Sequence, residues 1–258
     1  MSNMYIFEEN ITNNKVKALI FAAGLGTRLK EHTSDRPKAL VVLAGKPLLQ
    51  HAIEKLMSHQ ITDITINVHH FADQVISFLE NHPFDGVKIH VSDEREELLD
   101  TGGGLKKAEP FLAGNEPILI YNVDVISNLD INMLENYHLA SGSLATLVVR
   151  QRETSRYLMF DRNLQLAGWK NQSNGDTKIS RADSFEDAAP FAFSGIQIVQ
   201  PEIFKLITEK GKFPIIDLYL RLAKTAKICA FADTSTVWMD LGKPDQLKMA
   251  KQSFSKNF

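Results

Sequence analysis

The chain carries one cysteine, Cys229, in 258 residues, so no disulfide can close within it. Cys229 sits in the apolar stretch Ile228 to Ala232, which predicts a packed thiol rather than a reactive one. The formal net charge is only −2, so overall charge offers nothing to draw in a nucleic acid. No apolar run approaches the length of a membrane span. The opening MSNMYIFEENITNN is too polar for a signal peptide. A cytoplasmic protein is therefore expected, with residues 1–15 as a short tail. Repeats and low-complexity linkers are missing too. Three familiar phosphate-binding signatures are also missing. No G-x-x-x-x-G-K-[ST] string occurs, Leu29 stands where a dinucleotide G-x-G-x-x-G would need its last glycine, and no HRD or DFG follows the glycine-rich segment.

What is present is a composition of ordinary globular type, 44% hydrophobic and 23% charged. Short apolar strands alternate with amphipathic helical patterns, the mark of a mostly parallel sheet. Helices are predicted over Leu48 to Met57 (opened by Pro47), Phe71 to Leu79, Leu105 to Phe111 and Asp130 to Ala140, and strands over Ala18 to Ala23, Ile64 to Val68, Val87 to Val91 and Leu144 to Val149. Pro117 to Val123 is a near-continuous apolar run, as expected for a central strand buried on both faces. From about Arg150 the pattern changes. Tyr157 to Phe160 and Gln165 to Trp169 flank Asp161-Arg162-Asn163 as a hairpin, Asn171 to Asp187 reads as a loop, and Phe191 to Val199 as a strand. Pro201 to Ile207 and Pro214 to Leu222 read as helices, Lys227 to Ala232 as a strand, and Pro244 opens a last helix. No composition break separates the halves, so one domain over 16–258 is expected, with a nucleotide half to about residue 150.

The densest chemical signal lies between Val16 and Lys38. An apolar strand runs into Gly24-Leu25-Gly26-Thr27-Arg28. Glycines there let the backbone turn tightly and come close to a ligand, and successive N–H groups in such a loop can face phosphate oxygens. Arg28 and Lys38 add two cations suited to a polyphosphate, with Pro37 fixing the backbone ahead of the lysine. A nucleoside triphosphate is the ligand this pattern suits.

Three further motifs follow. Asp100-Thr101-Gly102-Gly103-Gly104 precedes the predicted helix at Leu105, and its glycine N–H groups could face an anion or a base edge. Tyr121-Asn122-Val123-Asp124 puts a carboxylate at the end of the central strand, where ligands of open α/β sheets bind. Trp238-Met239-Asp240-Leu241-Gly242 supplies another. Two such carboxylates suit Mg²⁺, which takes one or two together with phosphate oxygens and water. His69-His70 cannot both face one site from a strand and reads as rim histidines. Asp93 to Glu97 reads as a solvated acidic face, although a carboxylate there could accept the N1–H and N2–H₂ of guanine. Ser194 has no evident histidine partner for nucleophilic catalysis.

The positions Gly24, Gly26, Thr27, Arg28, Leu29, Thr33, Pro37 and Lys38 resemble the signature of sugar-1-phosphate nucleotidylyltransferases. One element departs: Glu31 stands where that family usually has proline. Asp100 to Gly104, Phe193-Ser194-Gly195-Ile196 and Trp238 to Gly242 are similar to segments of short N-acetylmuramate-1-phosphate uridylyltransferases, and mannose-1-phosphate guanylyltransferases resemble the chain next. Val123 replaces a glycine common in that family. The resemblance implies a Rossmann-like, GT-A-like three-layer α/β sandwich with a mixed, mostly parallel sheet. It implies Mg-dependent formation of an NDP-sugar and pyrophosphate from an NTP and a sugar 1-phosphate, with UTP favoured over GTP. Carried over by position, Arg28 and Lys38 would act on the phosphates. Main-chain groups of Ala22, Ala23, Gly24, Gly102 and Gly103, with Gly26 and Thr27, would bind the nucleotide. Asn122, Lys170, Ser194 and Gly195 would serve the sugar phosphate, and Asp124 and Asp240 the metal. Only small-molecule substrates are expected as partners, with a homo-oligomer left open. A non-catalytic nucleotide-sugar sensor and a choline-phosphate cytidylyltransferase are the rival readings.

Overall fold

The computed structural model describes residues 16–257; the expected tail 1–15 lies outside the described residues. Fourteen strands and eight α-helices follow one another in largely alternating order. The strands are β1 (Lys17–Phe21), β2 (Val42–Leu43), β3 (Lys46–Pro47), β4 (Asp63–Val68), β5 (Lys88–Asp93), β6 (Ile118–Asn122) and β7 (Val125–Ser127) in the first half. The second half holds β8 (Ala145–Arg150), β9 (Arg156–Phe160), β10 (Leu166–Asn171), β11 (Thr177–Ile179), β12 (Ala189–Val199), β13 (Ile228–Ala232) and β14 (Trp238–Asp240). The helices are α1 (Leu48–Met57), α2 (Ala72–Asn81), α3 (Asp100–Leu112), α4 (Ile131–Ser141), α5 (Ala182–Phe185), α6 (Ile203–Leu206), α7 (Ile215–Leu222) and α8 (Pro244–Asn257).

The central strands stand in the order β13-β8-β12-β6-β1-β4-β5. Every pair is parallel except the two that β12 makes, with β6 and β8. The sheet is covered on both faces, and residue alternation shows why. In β1, Ala18 and Ile20 enter one buried cluster while Leu19 and Phe21 enter the other; in β6, Leu119 and Tyr121 part from Ile118 and Ile120 in the same way. A run apolar at every position is what a strand needs when both its faces are dry. Buried residues of α1, α2 and α4 share the first cluster and those of α3, α6 and α7 the second. The result is the three-layer sandwich with a mixed, mostly parallel central sheet.

The N-terminal end of β12 departs from this body to pair with β9, and β10 and β11 continue that arm by antiparallel pairing. The segment expected as a loop over Asn171 to Asp187 therefore contains β11 and the single turn α5. β11 is exposed at all of its residues, so no burial alternation marks it in the sequence. The glycine motif gives the larger correction. Helix α3 begins at Asp100, not Leu105, and takes in Gly102, Gly103 and Gly104. Helix propensity disfavours glycine by about 1 kcal/mol per residue, but packing overrides it here. A Cβ on Gly102 would lie 2.3 Å from the Phe213 ring, and one on Gly103 2.4 Å from the Gly211 carbonyl oxygen.

One buried titratable group bears on stability. His138 on α4 is fully buried, with Nδ1 at 2.8 Å from Thr146 Oγ1 and Nε2 at 2.9 Å from Gln200 Nε2. The amide must donate to Nε2, so Nδ1 carries the ring proton and the imidazole is neutral. Burial pushes its pKa down from 6.5 to about 4. Below pH 6.5 the unfolded chain takes up a proton that the native protein refuses, so stability falls as pH drops through that window. His138→Gln should flatten this acid limb by about 2 to 3 kcal/mol in urea titrations between pH 7 and pH 4. An unchanged limb would show that another group controls it.

Candidate active site

A cleft of about 610 Å³ opens at the carboxyl ends of β1 and β6. Residues Phe21 to Arg28 form one wall, Asn122 to Asp124 and Lys38 the floor, and Glu94, Leu98, Asp100, Thr101 and Lys212 the opposite side. The glycine loop owes its form to two different properties. Gly26 has φ of +65°, and a Cβ there would meet Thr33 Cγ2 at 2.8 Å. Thr33 Oγ1 in turn donates to the Gly26 carbonyl at 3.0 Å, closing the turn that starts the 3₁₀ segment Thr27–Thr33. Gly24, by contrast, faces open space, so it leaves room for a ligand rather than for the chain. Leu29 anchors the segment in the core, while Arg28 remains exposed.

Lys38 and Asp124 form an ion pair whose side chains are 12% and 14% exposed. Asp124 lies in the turn between β6 and β7. That turn is fixed by Val123 N–H donating to the Phe21 carbonyl (3.2 Å), Tyr121 Oη donating to the Val125 carbonyl (3.0 Å) and Leu241 N–H donating to the Asp124 carbonyl (2.8 Å). Val123 is buried in the core. Register places Asp240 directly opposite Val125, so the two aspartates stand on adjacent rungs of the β7–β14 ribbon. Asp240 Oδ1 accepts from Gly242 N–H at 2.8 Å. A Cβ on Gly242 would lie 2.8 Å from both that oxygen and Arg28 Nη2, so Arg28 and Asp240 flank the same glycine. Arg28, Lys38 and Asp124 thus line the cleft, and Asp240, more than two hundred residues from Arg28 in the chain, adjoins Arg28 at Gly242.

The donor set bears on which metal could be held there. No group of three or more His, Cys, Asp or Glu side chains forms a metal cluster among the described residues. Two adjacent carboxylates fit a hard cation that draws its other ligands from phosphate and water, as Mg²⁺ does. They do not make the closed tetrahedral set of a structural zinc site.

At the other end the structure corrects several expectations. The N–H groups of Ala22 and Ala23 are not free to read a base: both donate to Asn67 Oδ1, at 2.7 and 3.2 Å. Gly102 and Gly103 do not face a ligand either. Their N–H groups donate to the Phe213 carbonyl, at 2.9 and 3.3 Å. The motif is a packing surface for residues 211–213, and only Asp100 and Thr101 of it reach the cleft. Asp100 adopts φ of +60°, a backbone region that costs a non-glycine residue energy and clusters at functional sites. Lys170 is exposed on β10, outside the cleft wall. Asn122 lines the floor, and a Cβ on Gly195 (φ +78°) would lie 2.9 Å from Asn122 Nδ2, so Gly195 permits that close approach. Ser194 is buried, and its hydroxyl has no hydrogen-bond partner among the described residues.

The acidic run Asp93 to Glu97 is not uniformly solvated. Glu94 is completely buried; it accepts from Asn67 Nδ2 at 2.8 Å and from Leu99 N–H at 3.2 Å. Burial pushes its carboxyl pKa up, with the Asn67 and Leu99 hydrogen bonds opposing. Glu94 thus holds Asn67, and Asn67 holds the start of the glycine loop. Asn67, Glu94 and Lys212 are cleft residues that motif reading missed. Extending the alternation of β5 by one residue puts Glu94 on the side of buried Ser92, which is the signal the sequence did contain. His69, read as a rim residue, has Nδ1 2.7 Å from the Glu94 carbonyl.

This chain belongs to the nucleotidyl transferase family, whose pattern residues 17–257 match. It is 35% identical over 244 residues to an N-acetylmuramate alpha-1-phosphate uridylyltransferase of Caulobacter vibrioides, covering 92% of this chain and 95% of that protein. It is 33% identical over 240 residues to a mannose-1-phosphate guanyltransferase of Debaryomyces hansenii, covering 89% of this chain but 62% of the relative. Among solved structures, HddC from Yersinia pseudotuberculosis complexed with GMP-PN superposes with a TM-score of 0.73 at 23% identity, covering 93% of this chain and 99% of HddC. A putative glucose-1-phosphate thymidylyltransferase from Bacillus anthracis gives a TM-score of 0.75 at 20% identity, covering 94% and 96%. These two superpositions speak for the fold. No helix among the described residues is long and apolar enough to cross a membrane.

Proposed function

We propose that this enzyme joins a nucleoside triphosphate to a sugar 1-phosphate, releasing pyrophosphate, and that its substrates are UTP and N-acetylmuramate 1-phosphate. The observation that carries the reading is that Arg28, Lys38 and Asp124 line a cleft whose wall is the glycine loop, with Asp240 adjoining Arg28 and registered opposite Val125, next to Asp124. The acceptor phosphate is already ionised at neutral pH and needs no general base, so catalysis rests on positioning and charge stabilisation. Arg28 and Lys38 hold the β- and γ-phosphates and stabilise the leaving pyrophosphate. Asp124 and Asp240 would hold Mg²⁺, which would supply positive charge to the reacting phosphates. The Lys38 ammonium has three N–H donors, so it can keep Asp124 and still take a phosphate oxygen.

The choice of uridylyl transfer is supported by the extent of likeness: the uridylyltransferase relative matches along nearly its whole length, whereas this chain spans about three fifths of the guanyltransferases. GTP with mannose 1-phosphate is the second reading, since those relatives are 30–33% identical. Pyrophosphate release measured with UTP and GTP against N-acetylmuramate, N-acetylglucosamine, glucose and mannose 1-phosphates in Mg²⁺ separates them. The expected result is the highest kcat/KM for UTP with N-acetylmuramate 1-phosphate. A preference for GTP and mannose 1-phosphate would move the assignment to the second reading, and release with no pair would sink it.

A further inference from the structure

Most arginines that this fold draws away from solvent are matched by a carboxylate. Arg150 pairs with Asp233 at 2.5 Å, Arg181 with Asp161 at 2.8 Å and Arg221 with Glu209 at 2.6 Å. Arg152 differs. It is half-buried, yet makes no ion pair among the described residues. Its guanidinium carbon lies 4.6 Å from the centroid of the Trp238 ring, and Nη2 donates to the Phe193 carbonyl at 2.9 Å. Nη1 reaches the Glu153 carbonyl only at 3.5 Å, and Nε is enclosed with no acceptor among the described residues.

A half-buried guanidinium in no direct ion pair is costly. Burial pushes its pKa down, and the nearby Asp240 carboxylate opposes that shift. The fold holds the group rigid by stacking and one backbone acceptor instead of neutralising it. It also holds the stack in place, since Trp238 Nε1 donates to the Ser194 carbonyl at 3.0 Å. Arg152 follows β8 and stacks on Trp238, two residues before Asp240 on β14; neither Arg152 nor Trp238 is among the residues that line the cleft itself. With Nε enclosed and Nη2 held by the Phe193 carbonyl, Nη1 is the donor left most open to a carboxylate, on a plane that the Trp238 stack fixes.

We propose that Arg152, stacked on Trp238, forms a subsite for an ionised carboxylate on the sugar of the acceptor, so that the enzyme selects a sugar-acid 1-phosphate over its uncharged counterpart. The inference rests on the proposed sugar-1-phosphate reaction and adds a reason for its choice of sugar. Muramate differs from glucosamine by a lactyl ether that bears such a carboxylate. The unmatched charge of Arg152 then finds its partner when the substrate arrives.

The test compares N-acetylmuramate 1-phosphate with N-acetylglucosamine 1-phosphate in the wild type, Arg152→Gln and Arg152→Lys, using whichever nucleotide the wild type accepts. Arg152→Gln should raise KM for the muramate substrate about 10- to 100-fold with kcat within about threefold, the loss of one charged hydrogen-bonded pair. It should leave kcat/KM for the glucosamine substrate within about threefold. Arg152→Lys should recover part of the affinity, because charge returns without the fork. Equal losses on both substrates would overturn the subsite, as would an unchanged KM for muramate. A wild type that uses only uncharged sugars would overturn the choice of substrate and the subsite together. A wild type that prefers muramate, with the preference intact in Arg152→Gln, would overturn the subsite alone.

Discussion

Asp124→Asn is expected to lower kcat by about 10²- to 10³-fold, the scale on which a fixed electrostatic group at a reacting centre acts. The substitution keeps the shape of the turn and its main-chain bonds, because Leu241 N–H and Tyr121 Oη reach the backbone carbonyls of Asp124 and Val125, not the carboxylate. What it removes is one of two adjacent carboxylates and the partner of Lys38. Both side chains are largely buried, so leaving Lys38 without its partner should also lower stability by about 3 kcal/mol. Pyrophosphate release at saturating Mg²⁺, read beside the thermal midpoint, checks both halves. Activity within tenfold of wild type would remove Asp124 from the reaction.

Lys38→Met should act in opposite directions on rate and on metal affinity. The rate should fall about 10²- to 10³-fold, since the cation that steadies the leaving pyrophosphate is gone. Divalent-cation binding to the nucleotide-free protein should tighten, because the ammonium that occupies Asp124 competes with any metal for the same oxygens. Titrating Mn²⁺ into both proteins by calorimetry, beside steady-state rates, tests the pair of effects. A variant that loses rate without gaining metal affinity would mean that Lys38 does not compete for Asp124.

These two residues, with Arg28 and the glycine loop, were legible in the sequence because their chemistry is local. Fifteen consecutive residues from Gly24 to Lys38 hold the turn glycines and both cations. Strands β1 and β6 were legible for a similar reason, since burial on both faces leaves an unbroken apolar run. The glycines at 102–104 misled because glycine is read as loop unless a neighbour forbids any side chain, and that neighbour, residues 211–213, lies more than a hundred positions away. Asn67 was illegible for the same cause, and the alternation of β5 that reaches Glu94 was masked by the charged residues around it until β4 and β5 lie side by side. Between Lys170 and Arg152, two cations in polar surroundings, nothing local told which one is drawn inward.

Strand β12 stands between β6 and β8 in space although it follows both in the chain. As the polypeptide leaves the ribosome, both strands emerge with their inner edges unfilled, and they stay so until Val199 has been made. These edges belong to the middle of the sheet and, Arg150 at the end of β8 apart, carry neither charge nor proline to guard them against pairing with another chain. The strands β5, β4, β1 and β6 can pair early, but the sheet cannot be completed until β12 has been made. The window between the appearance of β6 and the arrival of β12 is when a chaperone has the most to protect.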